Sequence, residues 1–302
     1  MIVIRFGGGL GNQLFQYAKY WMIKKKFPDE LICYDASVYN IFNEHEGFKI
    51  SKYFEFNVES IDYEWIKYAK PLEYYLIKNK IIIKNLKQYK IYYKIEKILG
   101  NIFQKKKLFY ISDDDYGEHF NSDNDYYYDG RWQDITGYDI NYLRNCIKFK
   151  IKLSLYEEKI AKGMLDTISI SIHVRRGDFI DNKGYNLCSL QYYRDAIRML
   201  IESEKLDKDN IKLYFFSDDK DYIKNSFKYN NMVVVEGESA GSEMKLMTYT
   251  KYNIIANSTF SFWGALLSKR CKQVIAPKYF TYSRGKFESF SIPLTWKTID
   301  NS

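Results

Sequence analysis

The sequence predicts an α/β protein of two doubly wound domains. Three observations carry this: a strand–turn–helix–strand unit opens the chain, the same alternation resumes beyond about residue 150, and 302 residues suffice for two domains of about 150 each. The composition is globular, with 46% hydrophobic and 28% charged residues, and no stretch approaches the ~18 consecutive apolar residues of a membrane span. The division is accordingly placed at 1–150 and 151–302.

The first element is the apolar strand IVIRF. A glycine turn follows, then LFQYAKYWMIKKKF, where Leu14, Tyr17, Ala18, Trp21 and Met22 recur at helical spacing. ELICYD is a second strand ending at Asp35, so residues 1–35 form a βαβ unit with a parallel strand pair. Residues 60–107 read as helical. Between Lys67 and Lys107, twelve Lys stand against Glu73 and Glu96, a local charge of +10 in a chain of net charge +8. The excess positive charge is therefore one segment. Lys84, Lys87, Lys90, Lys94 and Lys97 are spaced by three or four and share one helix face. The plain reading of that face is solvation; the sharper one is contact with an anionic membrane surface, where each Lys is worth ~1 kcal/mol. Nucleic acid is not an expected partner, because no recognition motif accompanies the charge.

From 113 to 138 the chain reads DDDYGEHFNSDNDYYYDGRWQDITGY, which predicts irregular loops rather than a packed element. Beyond the boundary, ISISIHVR alternates strictly, with Ile168, Ile170, Ile172 and Val174 on one face and Ser169, Ser171, His173 and Arg175 on the other. LQYYRDAIRMLIE is a helix capped by Ser189, and IKLYFFS is a strand. DYIKNSF, MVVVE, EMKLMTYTKY, NIIAN, FSFWGALLSK and QVIAPK continue the alternation.

The apolar part of MIVIRFGGG is too short for a signal h-region and lacks a basic leader, so a cytoplasmic protein is expected, with a peripheral position at the inner face of the plasma membrane if the lysine face binds lipid. Cys33, Cys146, Cys188 and Cys271 form no C-x-x-C pair and read as reduced core thiols, with no zinc site or disulfide framework. The 30 Tyr accompany abundant Ile, Lys and Asn, the signature of an AT-rich genome, and are weak evidence for carbohydrate binding.

Four patterns carry chemistry. Gly7-Gly8-Gly9-Leu10-Gly11-Asn12-Gln13 presents bare N–H groups and a helix N-terminus, making Gly9, Gly11, Asn12 and Gln13 candidate ligand contacts; the alternative is a tight βα turn. The dinucleotide fingerprint is not met, since Asn12-Gln13 occupy the place of its third glycine, although Asp35 imitates its ribose-binding acid. His173-Val174-Arg175-Arg176-Gly177-Asp178 ends the alternating strand, where open α/β sheets place ligands. Arg175 and Arg176 can neutralise a diphosphate bidentately without a metal; the alternatives are a surface salt bridge and a structural histidine. Asp218 and Asp219 end a further strand. A carboxylate there can accept the two adjacent N–H groups of the guanine edge and so select GDP, or Ser217 or Asp218 caps a helix. Finally, NIIANSTFSFWGA is a strand, a hydroxyl-rich turn and a helix start, in which Ser258, Thr259 and Ser261 hold phosphates or cap the helix.

In this order, GGGLGNQLFQYA, YYYDGRWQ, HVRRGD, FFSDD and NIIANSTFSFWGA resemble the glycosyltransferase family 11 alpha-1,2-fucosyltransferases over nearly the whole chain. The resemblance implies a GT-B architecture, two Rossmann-like domains facing across a cleft, with the acceptor on the 1–150 side and GDP-fucose bound chiefly by 151–302. It implies inverting transfer of L-fucose from GDP-beta-L-fucose to the 2-hydroxyl of a beta-galactoside glycan, as in O-antigen or other surface polysaccharide synthesis on a lipid-linked acceptor. Arg175 and Arg176 then meet the diphosphate, His173 lies by the ribose, Asp218 or Asp219 reads guanine, and Asn257, Ser258 and Thr259 line the phosphate side. Two positions depart from the pattern: Tyr252 stands where a histidine is expected, and Phe262 replaces one of two tryptophans.

Such a transfer needs a base for the acceptor proton and cationic groups for the departing GDP. Arg175 supplies the cation and no metal or other cofactor is expected. Asp178 is the favoured base, its alternative role being to orient Arg176; Asp181 is the reserve, and the diphosphate itself can assist. Three rivals remain: a metal-dependent transferase with Asp113 and Asp115, or Asp123 and Asp125, as a D-x-D site; a non-catalytic GDP-sugar or glycan-binding module; and a nucleotide-sugar oxidoreductase, against which the missing third glycine argues.

Overall fold

Short runs of Ile, Val, Tyr and Phe bounded by Gly, Asn and Asp become strands too apolar to leave a face in water, so the two main sheets are parallel and helix-covered. The computed structural model describes residues 1–42, 47–103, 107–113, 120–182, 184–185 and 188–301. The chain separates into two units, Met1–Trp132 and Gln133–Ser302.

In the first unit, β1 (Ile2–Arg5), α1 (Leu10–Lys26) and β2 (Ile32–Asp35) form the opening βαβ, with β1 and β2 parallel. There follow α2 (Ile50–Tyr53), β3 (Glu59–Ser60), α3 (Tyr63–Ala69), α4 (Pro71–Lys78), α5 (Leu86–Phe103), β4 (Leu108–Ile111) and β5 (Asp125–Tyr128). The strand order is β3-β2-β1-β5-β4. Strand β5 corrects the expectation of loops over 113–138: it pairs with both β1 and β4, and Tyr126, Tyr127 and Tyr128 are 5%, 1% and 2% exposed. A strand buried on both faces needs no alternation, so three consecutive tyrosines between aspartates gave no period to read.

The C-terminal ends of β1, β2 and β5 are joined by a buried charge network. The Arg5 guanidinium donates to Glu73 Oε2 at 2.6 Å, to Asp35 Oδ2 at 3.3 Å and to the Tyr127 hydroxyl at 3.0 Å. Burial alone would push the Glu73 carboxyl up, but Arg5 and hydrogen bonds from Ser37 and Tyr92 outweigh it and hold it below the usual carboxylate range. Asp35, 1% exposed, also accepts from the Ser37 N–H at 2.8 Å. Its likeness to a ribose-binding acid is thus one of position only; the carboxylate serves the fold.

The second unit contains α6 (Ile140–Cys146), α7 (Leu155–Asp166), β6 (Ile168–Val174), α8 (Leu190–Ser203), β7 (Ile211–Ser217), α9 (Lys220–Ser226), β8 (Met232–Val234), α10 (Ala240–Met247), β9 (Tyr252–Ile254), α11 (Thr259–Leu266) and β10 (Gln273–Pro277). An antiparallel hairpin, β11 (Tyr279–Ser283) and β12 (Lys286–Ser289), and an edge strand, β13 (Lys297–Ile299), complete it. The order β13-β10-β9-β6-β7-β8 is parallel throughout. The units divide after Trp132 rather than near 150 because α6 packs with the second: Leu143 is 1% exposed and Arg144 Nε donates to the Leu266 carbonyl at 2.7 Å.

Both faces of this sheet are covered. Ile170, Ile172 and Phe215 pack with Tyr193, Ala196 and Leu200 of α8, while Tyr214 and Phe216 pack with Met164 of α7 and Leu246 and Met247 of α10. Each fully buried Ile, Leu or Phe contributes roughly 2 kcal/mol relative to exposure. The alternating serines of β6 face inward with their hydroxyls satisfied, Ser169 by the Met164 carbonyl at 2.7 Å and Ser171 by the Asn253 side chain. The two departures from the family pattern are core residues: Tyr252 is 3% exposed, and Phe262 is fully buried against Phe290 and Trp296. They change packing rather than an exposed surface. All four cysteines are free thiols, and no helix among the described residues is long and apolar enough to cross a membrane.

Candidate functional site

The order of strands in the second unit locates a crevice. From β6 the chain adds β7 and β8 on one side, then β9 and β10 on the other. Loops leaving the C-terminal ends of β6 and β9 therefore diverge, and the gap between them is where open parallel sheets take ligands. His173 to Asp178 leaves β6 at that point, and Asn257, Ser258 and Thr259 follow β9.

The parallel register pairs Val174 with Ser217, which brings the arginines beside the two aspartates at the end of β7. Arg175 lies with NH1 2.9 Å from Asp218 Oδ2, and donates through Nε and NH2 to Asp178 Oδ1 at 3.0 and 2.6 Å. The Arg176 backbone N–H donates to Asp218 Oδ1 at 2.9 Å and its Nε to Asp219 Oδ2 at 3.1 Å. The Arg176 guanidinium stacks on Tyr222, 3.6 Å from the ring centre, and Arg175 lies over Phe179. Two cations are thus held in place by carboxylates yet stay about a quarter exposed, at 28% and 27%. Both oxygens of Asp218 are occupied by the arginine pair. Asp219 is the N-cap of α9, accepting from the Tyr222 N–H at 2.9 Å, and this bond, with Arg176, holds its carboxyl below the usual range. The helix-cap alternative for this motif is realised by Asp219 rather than by Ser217 or Asp218.

His173 is 5% exposed beneath this surface. Burial, assisted by Arg175, lowers its pKa to about 3, so the imidazole is neutral, and its buried Nδ1 has no hydrogen-bond partner among the described residues. Its ring lies 5.4 Å from that of Phe260, which sets the start of α11 against the end of β6. Ser258, 8% exposed, is the N-cap residue of α11 and makes no side-chain cap hydrogen bond among the described residues, and α11 starts beyond the C-terminal end of β9, where a helix N-terminus suits an anion. Asn257 serves the fold instead. Its Nδ2 donates to the carbonyls of Tyr185 and Phe280, each at 2.8 Å, and its Oδ1 accepts from Cys188 Sγ at 3.3 Å. It ties the loop after β6 to the hairpin.

Asp178, half exposed at 52%, is held by Arg175, not by Arg176 as its alternative role supposed; Asp181 is exposed. A further carboxylate, which no sequence pattern singles out, stands at this end of the sheet. Glu243, in the first turn of α10, lies 3.6 Å from Lys220, and burial together with the neighbouring Asp218 raises its carboxyl to about 6 against the pull of Lys220. In GESAGSE it is one acid in a polar loop, and only the helix packing brings it beside Asp218.

The glycine loop of the first unit sits at its own reversal point, between β1 and β5. Gly8 has φ of +72°, and a Cβ there would lie 2.6 Å from Asn12 Nδ2, so the turn requires glycine. Gly9 is the N-cap of α1, and Gly11 is buried in its first turn. Gln13 is fully buried: Nε2 donates to the Gly8 and Gly47 carbonyls and to the Tyr39 hydroxyl, and Oε1 accepts from the N–H groups of Lys49 and Ile50. Its amide is consumed inside the fold. Gln16, absent from the sequence-based candidates, braces the same loop by accepting from the Gly7 N–H at 3.0 Å and donating to the Gly130 carbonyl at 3.3 Å. Of the D-x-D candidates, Asp113 accepts from the N–H groups of Arg131 and Trp132 at 2.8 and 2.6 Å, Asp125 opens β5 beside the N-terminal amine, and Asp123 is exposed; Asp115 lies outside the described residues.

A family model described as Glycosyl transferase family 11 matches residues 1–297. The chain is 29% identical over 319 residues to an Alpha-1,2-colitosyltransferase of Escherichia coli, covering 99% of each, and 29% identical over 296 residues to the O-antigen biosynthesis glycosyltransferase WbnK of Escherichia coli, covering 90% of this chain and 92% of that one. Among solved structures it is similar to the fucosyltransferase NodZ from Bradyrhizobium, with a TM-score of 0.52 at 15% identity over 88% of this chain and 92% of that one; NodZ, an alpha-1,6-fucosyltransferase, has also been soaked with GDP-fucose.

Proposed function

The chain belongs to glycosyltransferase family 11, and on that premise we propose that it transfers L-fucose from GDP-beta-L-fucose, with inversion, to the 2-hydroxyl of a beta-galactoside in a surface glycan such as an O-antigen. The observation that carries this reading is the pair Arg175 and Arg176, held by Asp178, Asp218 and Asp219 at the reversal point of the second sheet and next to the start of α11. Two guanidiniums and a helix N-terminus suit a diphosphate, and the donor is assigned to this unit.

In the reaction the acceptor oxygen bonds to the anomeric carbon as the bond from that carbon to the β-phosphate oxygen breaks. The negative charge that develops on GDP falls to Arg175 and Arg176, which take the role a metal ion plays elsewhere, so we propose that no metal is needed. Asp178 accepts the acceptor proton once the diphosphate competes for Arg175. Neutral His173 offers an uncharged nitrogen to the ribose side, and Ser258 and Thr259 serve the phosphates. Asp218 and Asp219 act by holding the arginines, and Glu243 is the acid left to face the guanine. Asn257 and Gln13 support loops rather than touch the donor.

The linkage is supported by the alpha-1,2-colitosyltransferase relative and the glycan setting by the O-antigen relative, while use of GDP-fucose is supported by NodZ. The first of these also favours a second donor, GDP-colitose, whose sugar is fucose without its 3-hydroxyl. The test is incubation with GDP-fucose and GDP-colitose in parallel, over a panel of galactosides, with and without EDTA, followed by NMR of the new linkage. Fucose on the 2-hydroxyl, undiminished by EDTA, is the expected product. Exclusive use of GDP-colitose replaces the donor, another linkage replaces the acceptor position, and GDP binding without transfer reduces the protein to a binding module.

A further inference from the structure

Helix α5 touches its own unit along one narrow stripe. Tyr92 and Glu96 are 5% and 3% exposed and Tyr89 and Leu99 are part-buried, an i, i+3, i+7, i+10 set, whereas the rest of 86–98 is exposed. At about 100° per residue, Ile91, Ile95 and Ile98 align as a second stripe on one flank. They are 51%, 43% and 61% exposed, and Ile82, in the turn before the helix, is 64% exposed. Beside them the outward pole is basic: Lys87, Lys90, Lys94 and Lys97 lie between this stripe and the opposite flank, all exposed.

The acids of the segment do not offset this charge. Glu73 is turned inward on Arg5, and Glu96 accepts from the N–H groups of Leu72 and Glu73, capping α4 from within. The outward face of 78–98 therefore carries lysines and isoleucines and no exposed carboxylate. Exposed isoleucines at helical spacing are unfavourable in water, and a protein partner of ordinary composition would bring acids to match the lysines but seldom a continuous apolar bed beside them. A bilayer with acidic headgroups supplies both, phosphates at the depth of the lysine ammoniums and acyl chain for the stripe.

We propose that α5 and the turn before it form a docking surface for anionic phospholipid, with the helix lying in the plane of the membrane, Ile82, Ile91, Ile95 and Ile98 inserted and the lysines at headgroup level. The surface is independent of the donor site, and its test does not depend on the sugar chemistry.

Flotation of the full chain with vesicles of phosphatidylglycerol and phosphatidylethanolamine, against phosphatidylcholine alone, reads the proposal directly. The wild type is expected to float with the acidic vesicles and to be released by salt. Replacing Lys87, Lys90, Lys94 and Lys97 by Gln should lower the acidic-vesicle partition by about a hundredfold or more. Ile91→Ser, Ile95→Ser and Ile98→Ser together should lower it at least about tenfold without changing the salt slope. Circular dichroism and thermal melting of both variants check that the fold is kept. Absence of wild-type flotation at low salt, or equal flotation with neutral vesicles, overturns the proposal. So does a wild-type dimer in sedimentation velocity that the serine variant abolishes, because the stripe would then be covered by a second copy.

Discussion

Arg175→Lys is the sharpest test of the proposed donor site, because it keeps the charge and removes only the fork. In the structure the guanidinium serves two carboxylates at once, with Nε and NH2 on Asp178 at 3.0 and 2.6 Å and NH1 2.9 Å from Asp218. A lysine ammonium can meet one of them. Both pairs are part-exposed, so their loss costs about 1 kcal/mol of stability after screening, a fall in Tm of about 2–4 °C. The effect on transfer should be far larger. If the fork holds the departing diphosphate in the transition state, removing it costs about 3–4 kcal/mol, which lowers kcat by about 10²–10³. Steady-state kinetics with GDP-fucose and a 2-hydroxyl acceptor, beside calorimetric GDP binding and a melting curve, separate the two effects. Arg198→Lys, on the exposed side of α8, is the control. A variant with kcat within about threefold of wild type, at unchanged GDP affinity, would falsify the assignment of Arg175 to the leaving group.

Other expectations follow from the same geometry. Asp178→Asn should lower kcat by about 10²–10⁴ with GDP binding intact, while Asp181→Asn changes little; if both keep near wild-type turnover, neither is the base. His173 has a folded pKa of about 3 against 6.5 unfolded, so below pH 6.5 the unfolded chain binds a proton that the folded one refuses, and stability falls by about 1.4 kcal/mol per pH unit toward pH 3. Above pH 6.5 the group contributes nothing to the slope. His173→Phe should remove that share of the slope in urea titrations at pH 7 and 5.5, and an unaltered slope would mean that the imidazole protonates inside the fold. Gln13→Ala strands the N–H groups of Lys49 and Ile50 and should cost about 2–4 kcal/mol of stability, with GDP affinity of the folded protein unchanged. Weaker GDP binding at intact stability would return Gln13 to the donor contacts.

Elements with a strong local period were legible in the sequence. The opening βαβ, the alternating β6, the Ser189-capped α8 and the strand β7 all stand where residue spacing put them, since helix and strand periods are set by the backbone alone. The motif order His173 to Asp178, Asp218-Asp219 and Asn257 to Thr259 was also enough to indicate the family. Strand β5 was not legible, because burial on both faces erases alternation. Nor were the partners: an Asp in a motif reads alike whether it caps α9, holds two arginines or awaits a ligand, and that depends on which strand lies alongside. The parallel pairing of β6 with β7 made Asp218 and Asp219 supports for Arg175 and Arg176, and the packing of α10 brought Glu243 to the same end. The sequence by itself determined the secondary elements with a strong local period, the charge of the lysine segment and the motif residues proposed for the donor. Which of those residues remain open to a donor, and which isoleucines of α5 face water, were decided by tertiary packing, because hydrogen-bond saturation and burial depend on neighbours distant in the chain.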